Sequence, residues 1–98
     1  MSVFLEIILD AKESAAAGID SRDEVEEPLD EALAEEGTAE ITGGGGGLGM
    51  YNIDVEVGRD ADLDSVIETI RRVLRQRKVP KTTVINQYEP VRKEYSIY

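Results

Sequence analysis

Residues Gly43–Gly47 form an unbroken glycine run, and Gly49 follows after Leu48. Gly44, Gly46 and Gly49 match the G-x-G-x-x-G spacing of loops that cradle phosphate on free backbone N–H groups. That chemistry needs a helix N-terminus directly after the loop to face the anion. Here the alternating segment Tyr51–Val57 follows instead, and no G-K-[ST] Walker sequence is present. The glycines are therefore expected to form a mobile or positive-φ hairpin loop projecting from one end of a sheet. Asn52 and Asp54 are the polar residues nearest to it. With Gly43, Gly45 and Gly47 they make a candidate ligand loop for a small-molecule-sensing or regulatory domain. The plainer reading of Asn52 and Asp54 is the solvated face of an amphipathic strand.

Asp60, Asp62 and Asp64 have the spacing that opens an EF-hand calcium loop. The sixth position of that loop needs Gly and holds Ser65, and the twelfth needs Glu and holds Arg71. These acids instead suit the positive N-terminus of a helix. The sequence contains no His and no Cys. A Ser-His-Asp triad, an imidazole or thiolate metal site, a cysteine nucleophile and a disulfide are all excluded. Paired carboxylates remain able to do acid–base work, but nothing selects two among the twenty-one acids. A non-enzymatic protein without a cofactor is expected.

The acids themselves are the strongest signal. The net charge is −10, and it is unevenly placed. Residues 1–58 carry fifteen acids and two bases; residues 59–98 carry six acids and nine bases. Nucleic acid and anionic membranes are poor partners for such a chain. Glu27, Asp30 and Glu31, within a longer acidic segment from Asp23 to Glu36, form a candidate docking surface for a basic protein. A solvated helix face is the ordinary use of such a run. No stretch is long and apolar enough to span a membrane. The first ten residues lack a basic n-region, so a cytoplasmic protein is expected.

The 98 residues suit one domain, with residues 1–90 as its body and residues 91–98 as a tail. Apolar content of 41% is enough for a core. Val3, Leu5, Ile7 and Leu9 alternate with Phe4, Glu6, Ile8 and Asp10, predicting a strand. Residues 11–20 read as a loop. A helix is expected to start between Asp23 and Glu27, with Pro28 in its first turn and Gly37 ending it. Two strands around the glycine loop follow. Leu63, Val66, Ile67, Ile70, Val73 and Leu74 mark a second helix, and Thr82–Tyr88 a fourth strand. The order predicts an α+β, ferredoxin-like βαββαβ sandwich. It has a four-stranded antiparallel sheet with two helices on one face, plus a C-terminal tail or extra edge strand. The expected core is Leu5, Ile7, Leu9, Leu29, Leu33, Ile53, Val55, Val66, Ile67, Ile70, Val73 and Leu74. Phe4 and Ile8 point to the bare face. Tyr95, Ile97 and Tyr98 are expected to cover that face or cross to a second subunit in a homodimer.

The segment GGGGGLGMYNIDVEV lies between an acidic first helix and a second helix ending in Val79-Pro80. In this it resembles small bacterial proteins of unknown function with a ferredoxin-like fold. The resemblance covers Val25 to Val84 and implies that fold, with no established activity. In size and charge the chain is also similar to bacterial immunity proteins, which implies a basic toxin as partner.

Overall fold

The alternating N-terminal segment forms strand β1, Val3–Asp10, in the computed structural model, which describes residues 3–58, 61–89 and 91–98. Leu5, Ile7 and Leu9 are buried, while Phe4, Glu6 and Ile8 are half-buried, as a period-2 strand with one covered face requires. The chain then enters a short helix, α1, Ala11–Ala16, which replaces the expected loop. Asp10 caps it, Oδ1 accepting from the Glu13 N–H at 2.8 Å. Alanine, the strongest helix former, fills much of it. Gly18, at φ 90°, lets the chain turn away.

Helix α2 spans Asp23–Glu36 and buries Val25, Leu29 and Leu33. Glu24 forms half of a capping box: its Oε2 accepts from the Asp20 and Ser21 N–H groups at 2.6 and 3.0 Å. Gly37 ends the helix in the left-handed region, at φ 69°. Because the helix begins at Asp23, Pro28 lies in its second turn, not its first. Its ring removes the N–H that would reach the Glu24 carbonyl. That carbonyl accepts instead from Arg77 Nε at 2.9 Å.

Strand β2, Ala39–Gly47, contains the whole glycine run. This corrects the expected loop: Gly43–Gly47 pair with strand β3, Met50–Val57. Only Leu48 and Gly49 form the turn, both at positive φ, 54° and 79°. That is the backbone of a tight two-residue hairpin. The turn is anchored, since the Ala11 N–H donates to the Gly49 carbonyl at 2.8 Å.

Helix α3, Leu63–Gln76, starts at Asp62, whose Oδ1 accepts from the Asp64 N–H at 3.1 Å. Ser65 and Arg71 are helical, so no calcium loop forms there. Asp60 lies outside the described residues. Strands β4, Val84–Glu89, and β5, Lys93–Ser96, complete the sheet. Its order is β2-β3-β1-β4-β5, every neighbour antiparallel.

The fold is α+β; among the described residues it has five strands and three helices, against the expected four strands, two helices and a tail or extra edge strand. The expected core residues are all buried, in one cluster shared by the sheet, α2 and α3. The tail supplies β5, because its ends find partners on the helical side. Ile97 is wholly buried. Arg71 and Arg75 donate through Nε to the Ser96 and Ile97 carbonyls, each at 2.8 Å. The Tyr98 hydroxyl donates to the Val79 carbonyl. The tail therefore joins the sheet edge and does not cover the face of Phe4 and Ile8.

Two substitutions test these local arguments. Arg77→Met should cost about 1 kcal/mol in urea unfolding, the usual worth of such a bond. In a Pro28→Ala background it should cost less, because the new residue supplies the missing N–H; strictly additive costs would show that Arg77 does not compensate for the proline. Leu48→Asn should stabilise by about 1 kcal/mol, because a β-carbon is strained in the left-handed region and asparagine tolerates it. A scanning calorimeter should register this as a Tm rise of about 4–8 °C.

Candidate functional site

The hairpin register places Gly43, Gly45 and Gly47 opposite Asp54, Asn52 and Met50. The candidate ligand-loop residues thus share the sheet face that carries no helix. Asn52 Nδ2 donates to Asp54 Oδ1 at 3.3 Å, and both side chains are half-buried. They present a strand surface rather than a loop. Gly44 faces the helical side, where a β-carbon would lie 2.6 Å from the Asn52 carbonyl oxygen and 2.9 Å from Arg22 Nη1. Glycine is sterically required there. At Gly45 a β-carbon would meet nothing nearer than 3.7 Å.

Glu27, Asp30 and Glu31 are all exposed on α2, but they face two ways. Glu27 and Asp30 join Glu26 and Ile41 around a hollow of about 260 Å³. Asp30 also lines an open groove of about 680 Å³ along the edge of β2, with Glu40 and Glu56 and a floor that includes Ala34, Ala39 and Val57. Glu31 looks the other way, into a hollow of about 510 Å³ shared with Glu35, Arg72 and Arg77. The fold therefore unites Glu27 and Asp30 with two acids that the sequence reading did not select. Glu40 and Glu56 were recognisable only as the polar positions of two alternating strands. Their convergence needs the hairpin register.

That register also sets like charges face to face. Glu40 lies directly opposite Glu56, and Glu6 opposite Asp54. Same-sign pairs in these positions destabilise a sheet. Glu6 is relieved by the Tyr88 hydroxyl, which donates to its Oε1 at 2.8 Å, and Asp54 by Asn52. Among the described residues, Glu27, Asp30, Glu40 and Glu56 have no hydrogen-bonding or ion-pair partner for their side chains. The two ion pairs described are Arg22 with Glu26, at 3.6 Å, and Arg71 with Glu68.

Among the described residues no cluster of His, Cys, Asp or Glu is arranged to hold a metal ion. No described helix is long and apolar enough to cross a membrane. No known protein family matches the chain, and no curated protein is similar to it in sequence.

Tyr88 offers a direct probe of the open face. Its hydrogen bond to Glu6 raises the phenol above its ordinary value, with burial and the nearby carboxylate adding to the effect. Glu6→Gln should therefore lower the Tyr88 pKa, read as phenolate absorbance during an alkaline titration, with Tyr88→Phe identifying the signal. The raised value means that the folded state favours the protonated phenol. The stability this bond contributes is complete below the ordinary tyrosine value of about 10 and is lost as pH rises through the folded value. A titration unchanged by Glu6→Gln would contradict this account.

Proposed function

We propose that this protein is a non-catalytic, cytoplasmic binding domain whose partner is a basic protein, in the manner of the immunity proteins it is similar to in size and charge. One observation carries the reading: Asp30, Glu40 and Glu56 converge on a single groove whose lining, among the described residues, includes no base. Carboxylates held unpaired, and partly opposite one another, cost stability in the isolated domain. A cationic partner would recover that cost and associate faster for it. The finer reading of the fold is an elaborated ferredoxin-like βαββαβ domain, with β2-β3-β1-β4 as its sheet and α1 and β5 as additions.

Charge reversal tests the function. Glu27→Lys with Asp30→Lys alters two exposed positions and should leave the circular dichroism and Tm nearly unchanged. Basic proteins captured from the source cell at low salt by the native protein should be lost with the variant. Their association rate with the native protein should fall steeply as salt rises. Equal recovery by both proteins would mean that the acidic surface serves only solubility.

A further inference from the structure

The sheet has two edges, and they differ in kind. Strand β5 has four residues and begins with Lys93, beside Arg92. Short length and lysine are the ordinary protections of an edge. Strand β2 has nine residues, five of them glycine, and contains neither lysine nor proline. Among the described residues it pairs with β3 on one side only. In a hairpin closed by Leu48–Gly49, Gly47 exchanges hydrogen bonds with Met50, and the exchange recurs at every second pair. Gly45 and Gly43 are thereby bonded to Asn52 and Asp54. Gly44 and Gly46 turn their N–H and C=O groups outward, to the open edge.

Glycine is a costly choice for this strand, by roughly 0.5–1 kcal/mol at each position. Packing explains Gly44, where a β-carbon has no room, and the hairpin turn explains Gly49. Neither explains Gly45, whose open-face position would admit a side chain. Glycine within a strand often marks the close approach of another backbone. The surroundings of the edge say what that backbone carries. Glu27 and Asp30 stand on its helical side, Glu40 and Glu56 on its open side, and all four are unpaired among the described residues. Arg22, which lies over Gly44, is paired with Glu26.

We propose that the free edge of β2, Ala39–Gly47, receives an extended basic segment of a partner protein, which adds to the sheet as a sixth strand. Its backbone bonds the outward groups of Gly44 and Gly46, the recognition mode known as strand addition. Its Lys or Arg side chains, carried on both faces of the added strand, reach the carboxylates on the two sides of the edge. A second copy of this chain is a poor occupant. Pairing β2 with β2 would bring two acidic rims together, and like charges across an interface are repulsive.

The proposal rests on the basic-partner reading, and the experiment separates the two. The probe is a Lys-Val peptide of the length of β2, in Lys-Lys-Val-Val repeats so that both faces carry lysine, compared with the same peptide N-methylated at every residue and with a Glu-Val version. Amide exchange and chemical-shift changes in the full chain are the readouts. With the Lys-Val peptide, the Gly44 and Gly46 amides should gain protection. N-methylation should weaken binding by roughly tenfold or more, since it removes several backbone hydrogen bonds while keeping every charge. Asp30→Lys with Glu40→Lys should weaken it similarly, and the Glu-Val peptide should not bind. Equal binding of the methylated and plain Lys-Val peptides overturns strand addition while leaving the basic-partner reading intact. Equal pairing of the Glu-Val peptide with β2 overturns the choice of a basic segment, and with it the basic-partner reading. A concentration-dependent dimer that protects the same amides without any peptide assigns the edge to a second copy and overturns the proposal. So does a lack of Lys-Val binding at millimolar peptide.

Discussion

The structure depends on a sheet that is covered on one side only. Strand β1 lies at its centre and is paired on both edges, with Leu5, Ile7 and Leu9 directed at the helices. The register carries this choice outward. Leu5 stands beside Val55 and Gln87, and Ile7 beside Ile53 and Ile85, so each neighbouring strand inherits the same buried face. A slip of one residue would exchange this set for Phe4, Glu6 and Ile8 and put a carboxylate into the core. Helices α2 and α3 complete the cover, and Ile97 fills it from the tail. The other half of each strand, with Phe4, Ile8 and Val84 among its polar residues, is left together on the other face.

The charge asymmetry follows from what the bases are used for. Three arginines of the α3 region point their Nε donors at backbone carbonyls: Arg71 at Ser96, Arg75 at Ile97 and Arg77 at Glu24. Each carbonyl belongs to a place where regular pairing ends, two at the chain terminus and one below Pro28. A guanidinium suits this work because its planar donors are fixed and always charged. These three bases are thus engaged in holding the tail and α2, and they do not neutralise the acids along β2.

The glycine strand joins these two themes. It bends by a bulge near Thr42, lets Arg22 lie against Gly44, and reverses within two residues. The same lack of side chains leaves its outer edge bare. Local geometry accounts for some of these glycines and not for all. An unprotected backbone edge thus lies between carboxylates that have no partner among the described residues.

The sequence by itself determined the elements whose signals are periodic and dense. Alternation in Val3–Asp10 and Tyr51–Val57, the apolar stripe of Leu63–Leu74, and Gly37 after α2 all act within a few residues of chain, where local geometry and solvent decide the outcome. It also determined the excluded chemistries, since a missing His or Cys needs no structure to interpret. Helix α1 was legible in principle, from Asp10 with Glu13 ahead of an alanine-rich run, but its short length obscured it. Only the tertiary structure decided that the glycines belong to a strand, because their intrinsic preference is for turns and it is β3 that holds them extended. Only it decided that the tail becomes β5, since Ile97 and the two arginine-bound carbonyls find their partners at residues far away in the chain. The union of Asp30 with Glu40 and Glu56 is of the same kind. Residues so distant in sequence meet through register and packing, and neither is written in any one segment.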